Sequence, residues 1–63
     1  MCLSTVYKNT QTEDQVLCRF VSKIIANEEG KLVFTDVMGM EVTIEGTLLS
    51  ADLAEGIVVV RAN

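Results

Sequence analysis

Residues 40–53 read MEVTIEGTLLSADL and alternate between apolar and polar side chains on both sides of a glycine. Val42 and Ile44 fall on one face, while the acidic and hydroxyl residues fall on the other, which is the period of a β-strand. After Gly46 the alternation shifts phase, because two leucines follow each other. A glycine inside an extended run often marks a bulge or a sharp bend. We therefore predict a strand that bends at Gly46 and passes from one side of a small barrel to the other.

The rest of the chain reads as short strands separated by glycine-containing or polar turns. Around the decisive segment we predict strands over residues 2–7, 15–18, 22–27, 31–35, 40–45 and 57–61. Six short strands with regularly spaced turns indicate an all-β, strongly bent small barrel, and the chain, residues 1–63, is long enough for a single domain. The main alternative is helix, since residues 12–23 and 48–53 have spacings that a helix would tolerate.

The chain is unusually apolar for its size. It has 63 residues, of which 49% are hydrophobic. A domain of this length buries only about 60% of the surface that its unfolded chain exposes. Such domains are usually helped by a disulfide, a metal or oligomerisation. A monomer would leave much apolar surface exposed, so we expect a homodimer.

Charge and hydropathy exclude several classes of partner. Nine acidic residues against five basic ones give a net charge of −4. The basic residues are scattered, so binding to a nucleic-acid backbone is disfavoured. The first residues do not form a signal peptide. The longest uninterrupted apolar run that we identify, residues 57–60, is far too short to cross a membrane. We expect a cytoplasmic protein that does not enter a membrane, with its thiols reduced.

An enzyme is not expected. The chain contains no histidine, the commonest general base and metal ligand. It has no glycine-rich phosphate loop. The acidic pair Glu28 and Glu29 stands beside Gly30 and is typical of a solvated hairpin turn. A domain this small also has little room for a pocket that excludes water.

Cys2 is the residue that points to metal chemistry. Its thiolate and a terminal or backbone nitrogen could bind nickel, copper or zinc, all borderline-soft divalent metals. One chain cannot supply a closed zinc site. Two copies of Cys2 on a two-fold axis would supply two sulfurs and two nitrogens, a set that in planar form suits nickel(II) or copper(II). The alternative is that Cys2 is a small buried packing residue.

Three other sulfur-containing residues can each be explained either as packing residues or as metal ligands. Cys18 lies on a short predicted strand and reads as a reduced packing residue, with a second ligand or a redox partner for Cys2 as the alternative. Met38 and Met40 flank Gly39. Two thioethers beside a turn could bind copper(I), but methionine more often fills gaps in a core.

The opening Met1-Cys2-Leu3-Ser4-Thr5-Val6-Tyr7 resembles the start of the CooT family of small nickel-binding proteins. Further similarity lies in residues 16–21, in Gly39 with Glu41, in Glu45-Gly46 and in Ala51-Asp52-Leu53. The resemblance covers nearly the whole chain and is most specific at its start. The chain departs from the family at Cys18-Arg19-Phe20, where the family has acidic residues.

The resemblance implies an SH3-like β-barrel that dimerises and serves as a metallochaperone or nickel-handling accessory protein for a nickel enzyme, carbon monoxide dehydrogenase, or its maturation machinery. The resemblance also implies a metal site in which Ni(II) is bound by Cys2 of both subunits at the dimer interface. The alternative function is an SH3-like or Sm-like interaction module. Such a module would bind RNA or a peptide through an open sheet edge, and Cys2 would then be structural.

Overall fold

The alternating pattern of the sequence produces five strands and a single turn of 3-10 helix. The computed structural model describes residues 3–62. The strands are β1 (Ser4–Lys8), β2 (Val16–Ala26), β3 (Lys31–Asp36), β4 (Glu41–Asp52) and β5 (Ile57–Ala62). The 3-10 turn, Glu13–Gln15, lies between β1 and β2. The alternative of helix over residues 12–23 and 48–53 is thus absent from the described chain, apart from this turn.

The five strands close into a barrel, which confirms the prediction of a small, strongly bent all-β fold. Each strand pairs antiparallel with the next, and β1 pairs parallel with β5 to complete the closure. The strand that we predicted to pass from one side of the barrel to the other at Gly46 does so, and this passage appears as a change of pairing partner. Residues 41–45 of β4 pair with β3, whereas residues 46–52 pair with β5.

Gly46 occupies a place where a side chain would not fit. A Cβ atom built on it would overlap the carbonyl oxygen of Arg61 and lie 3.2 Å from the Cα atom of Ala62. Its backbone N–H also donates to the carbonyl oxygen of Gly30, at 3.2 Å. The absence of a side chain therefore lets β4 bend closely against β5.

The segments predicted as separate strands over residues 15–18 and 22–27 are two arms of one bent strand, β2. Phe20, between them, has a φ of 58°, a left-handed conformation that is costly for a bulky residue. Val21 then pairs with Ser4 of β1 and with Asp36 of β3. The bend allows β2 to contribute to both sides of the barrel. It also explains why the structure has five strands where six were predicted.

The core consists of buried side chains that come from β1, β2, β3 and β5. Its members are Val6, Val21, Leu32, Phe34, Val58 and Val60. Alternation along each strand places these side chains inside the barrel. Many large apolar side chains remain outside it, among them Leu53, which is 66% exposed, and Met38, which is 83% exposed. An isolated chain thus leaves apolar surface uncovered, as its composition indicated.

Candidate metal site and its surroundings

Cys2, the predicted ligand, lies outside the described residues, which begin at its neighbour Leu3. Leu3 is held against the turn that joins β4 to β5. The N–H of Thr5 donates to the carbonyl oxygen of Gly56, at 2.8 Å. A Cβ atom on Gly56, whose φ is +72°, would stand 2.8 Å from the carbonyl oxygen of Leu3. Glycine at this position therefore lets the beginning of β1 approach the β4–β5 turn.

A groove lies beside the beginning of β1, between β2 and the β4–β5 turn. We call this the N-terminal groove. It has a volume of about 350 Å³ and is lined by Ser4, Val21, Ser22, Lys23, Ile24 and Leu53. Its floor is apolar, since Val21 belongs to the core and Ile24 packs against it. Leu53 stands at its rim, and Leu3, which precedes Ser4 in the chain, is exposed, so apolar surface lies beside the beginning of β1.

Charges of opposite sign occur along this groove. Lys23 is exposed on its β2 side and, among residues 3–62, forms no ion pair. Asp52 immediately precedes Leu53 in the sequence, and Glu55 follows it by two residues. The N–H of Glu55 donates to the Asp52 carboxylate, at 3.1 Å, which fixes the start of the turn. The groove thus has an unpaired cation in its lining, and two carboxylates lie close in sequence to its residue Leu53.

Cys18, the alternative ligand, is part of the barrel wall. It pairs with Val6 across β1 and β2 and packs against the core. Burial raises the pKa of its thiol, and the nearby negative charge of Asp36 raises this pKa further. A metal ligand needs the thiolate form. The surroundings of Cys18 therefore favour the packing role over the ligand role.

We predict that Cys18 reacts slowly in the folded protein. In a Cys2→Ser background, alkylation by iodoacetamide at pH 8 should be several-fold slower for the folded chain than for the urea-unfolded chain, because less thiolate is present. The raised pKa also means that the free energy of unfolding falls as the pH rises from the thiol pKa of the unfolded chain towards that of the folded chain. Cys18→Ala should remove that part of the alkaline destabilisation, measured by urea unfolding at pH 7 and pH 10. Equal alkylation rates in the two states would contradict the prediction.

Met38 and Met40 lie on an ordered turn between β3 and β4. The Asp36 carboxylate accepts hydrogen bonds from the N–H groups of Met38, at 2.8 Å, and Met40, at 3.0 Å. Gly39 has a φ of +85°, the left-handed conformation that glycine adopts without steric cost. Both methionine side chains are more than half exposed, so neither fills a core gap.

Within residues 3–62, no three of the cysteine, aspartate and glutamate side chains lie close enough together to hold a metal ion. The structure therefore does not bring Cys18 into a cluster with acidic residues. Sequence reasoning did not identify the N-terminal groove. Its lining comes from β1, β2 and the β4–β5 turn, and no local pattern signals that these segments meet.

Fold and surroundings together define a small closed β-barrel whose first strand begins beside an open apolar groove. The family described as "CO dehydrogenase accessory protein CooT" matches residues 1–61. The chain therefore belongs to the CooT family, as the resemblance of its opening residues indicated. The family is described by an accessory role and not by a catalytic one.

The fold has a counterpart of known structure. The crystal structure of a protein assigned as CooT from Carboxydothermus hydrogenoformans superimposes with a TM-score of 0.82 and covers 98% of both chains. The two sequences are 18% identical, so the likeness concerns the fold. No curated protein sequence matches the chain. In the described part of the chain, no helix is long and apolar enough to span a membrane.

Proposed function

We propose that this chain is a cytoplasmic nickel-binding accessory protein that acts as a homodimer. One Ni(II) ion would be bound between two subunits by the Cys2 thiolate of each, with a nitrogen from the terminus or backbone beside each sulfur. The observation that carries the proposal is the family match, which begins at residue 1 and so includes Cys2. Ni(II) accepts sulfur and nitrogen ligands of this kind.

An accessory protein of this kind would deliver its nickel to a nickel enzyme. The family is described as an accessory protein of CO dehydrogenase, so we propose that the recipient is that enzyme or its maturation machinery. A carrier must bind the metal and then release it. A site shared between two subunits would allow release when the ligands of a recipient replace those of one subunit.

A two-fold contact at the N-terminal groove would suit this proposal, because the groove is lined by Ser4, two residues after Cys2 in the chain. In a symmetric dimer, each patch contacts the same patch of its partner. Leu53 of one subunit could pack on the apolar floor of the other groove, and this contact would bring Lys23 towards the partner's Asp52 and Glu55. Apolar surface would be buried and opposite charges would approach, which is favourable on both counts.

Leu53→Asp should convert the metal-free dimer to a monomer. The substitution would place a carboxylate at the rim of an apolar contact next to Asp52. We expect the dissociation constant of the dimer to rise by at least about tenfold, the effect of losing an anchor residue of an interface. Sedimentation equilibrium of metal-free protein provides the measurement. Met38→Asp, at an apolar residue on another turn, serves as the control and should remain dimeric.

A charge exchange would test whether the contact is between two copies. Lys23→Glu alone and Glu55→Lys alone should each weaken association, because each leaves like charges facing one another. The double variant should recover part of the loss. A dimer that resists both Leu53→Asp and Lys23→Glu would rule out this surface as the interface.

Nickel binding itself is tested by titrating the protein made without an N-terminal tag. We expect saturation at one nickel per two chains, measured by isothermal titration calorimetry. The affinity should fall at acidic pH, because thiol and amine ligands must lose their protons to bind the metal. A protein that binds no nickel at neutral pH would refute the proposed function.

The alternative function, binding of an extended peptide at an open sheet edge, receives less support from the fold. The pairing of β1 with β5 closes the barrel. Where the two strands pair, along residues 57–60 of β5, neither strand has a free edge. Strand addition requires unpaired backbone groups on an edge. The bent strands β2 and β4 retain one unpaired side on each arm, but each of these four arms carries at least one charged side chain, which discourages strand pairing.

A further inference from the structure

The strained bend of β2 and the β3–β4 turn together present an exposed apolar surface, none of whose residues lines the N-terminal groove. We call it the turn patch and define it by Phe20, Val37, Met38 and Met40. Their exposed fractions are 60%, 52%, 83% and 67%. The N–H of Val37 donates to the carbonyl oxygen of Phe20, at 3.1 Å, so the two segments are joined directly.

The backbone holds this patch in one arrangement. Phe20 is kept at a φ of 58°, although its side chain is mostly in solvent. Left-handed strain in a non-glycine residue persists where the surrounding structure imposes it, and it clusters at functional sites such as active sites, ligand clamps and switch regions. On the turn, Asp36 fixes Met38 and Met40 through their backbone N–H groups. The apolar side chains are thus presented by a preorganised frame, which reduces the entropy cost of binding a partner.

The composition of the patch fits a protein partner. Aromatic residues and methionine are enriched in the buried centres of protein interfaces. Methionine is also adaptable and suits surfaces that fit a partner's pocket. The carboxylates of Asp36 and Glu41 border the patch in sequence, and the nearby Arg19 already forms an ion pair with Glu13. The uncompensated charge at the border is therefore negative.

This charge distinguishes between a second copy and a different protein. Two copies meeting through the turn patch would bring Asp36 and Glu41 of one subunit against the same residues of the other. Such like-charge contact is unfavourable at an interface. A different protein with an apolar pocket bordered by lysine or arginine would match the patch in both respects.

We infer that the turn patch docks the recipient of the metal, CO dehydrogenase in its nickel-free form, through an apolar pocket with a basic rim. The inference rests on the proposed function for the identity of the partner. It assigns docking to residues other than Cys2 and the lining of the N-terminal groove, so that the protein can be recognised before its metal is transferred.

The test is binding of the purified, untagged chain to immobilised nickel-free CO dehydrogenase from the same source, measured by biolayer interferometry. Phe20→Asn removes the aromatic ring and places at this φ a residue that tolerates it. Met38→Asp introduces a further negative charge at the patch. Each should weaken binding by roughly tenfold or more, as expected for anchor residues. Leu48→Asn is the matched control, because Leu48 is 50% exposed on the arm of β4 that pairs with β5.

Three further results are expected from the same experiment. Circular dichroism should show that the Phe20→Asn protein keeps the fold. Higher salt should weaken binding, because opposite charges meet at the rim. The Cys2→Ser protein should dock like the wild type, so a failure of nickel binding and a failure of docking are separate outcomes. Absence of saturable binding by the wild type, or wild-type binding by both patch variants, would overturn the inference.

Discussion

Replacing Cys2 with serine is expected to abolish stoichiometric Ni(II) binding, whereas replacing Cys18 with serine should leave it intact. Cys2 and Cys18 are the two cysteines of the chain, so each variant is the other's control. The Cys2 thiolate is the proposed ligand, and a serine hydroxyl does not replace it because it remains protonated near neutral pH. Cys18 is held in the wall of the barrel with a raised thiol pKa, which disfavours its thiolate.

For this pair of variants, we would measure the nickel content after equilibrium dialysis. The mass of the metal-free protein in solution would show whether each variant is a monomer or a dimer. We expect one nickel per two chains for the wild type and for Cys18→Ser, and essentially none for Cys2→Ser. The Cys2→Ser protein should remain a dimer, because its proposed contact is made by the N-terminal groove. Unchanged nickel affinity in Cys2→Ser, or loss of nickel only in Cys18→Ser, would contradict the assignment.

Gly46→Ala is expected to destabilise the barrel strongly, and more than alanine at a glycine of an open turn. The new Cβ atom would overlap the carbonyl oxygen of Arg61, which is backbone and cannot move without shifting β5. Inserting atoms into a packed site typically costs about 1–3 kcal/mol and occasionally more. A core of this size supplies only about 3–5 kcal/mol of stability. We therefore expect a large fraction of the stability to be lost.

Gly30→Ala provides the comparison. Gly30 has a φ of +78°, yet a Cβ atom there would have no neighbour within 4 Å. The cost is then conformational only, about 1–2 kcal/mol for a left-handed residue. Urea unfolding followed by circular dichroism should show a larger loss of unfolding free energy for Gly46→Ala than for Gly30→Ala. The opposite order would show that the close approach of β4 and β5 is not what requires glycine.

Much of the fold follows from local patterns in the sequence. The alternation around Val42 and Ile44, and its change of phase after Gly46, predict a strand that serves both sides of a barrel, and β4 does so. The bend of β2 does not follow from such a pattern, and its two arms read as two strands. Its cause is the left-handed conformation of Phe20, and an aromatic residue gives no local signal for that conformation because it is rarely adopted.

The surroundings of the site are less predictable than the fold. Cys2 is indicated by its chemistry and by resemblance, and it stays a prediction because it lies outside residues 3–62. The N-terminal groove and the turn patch depend on contacts between distant segments. Ser4 and Leu53 both line the groove, and the backbones of Phe20 and Val37 are joined by a hydrogen bond at the patch. Such contacts are set by strand register and barrel closure, which no single stretch of sequence specifies.

The most direct test of a nickel ion shared by two Cys2 thiolates is the sulfur-to-nickel charge-transfer absorption during titration of the untagged protein with Ni(II). A thiolate ligand is required for this band. We expect the band to grow until one nickel has been added per two chains and to be absent from the Cys2→Ser protein. A band that saturates at one nickel per chain, or one that persists in Cys2→Ser, would contradict this expectation.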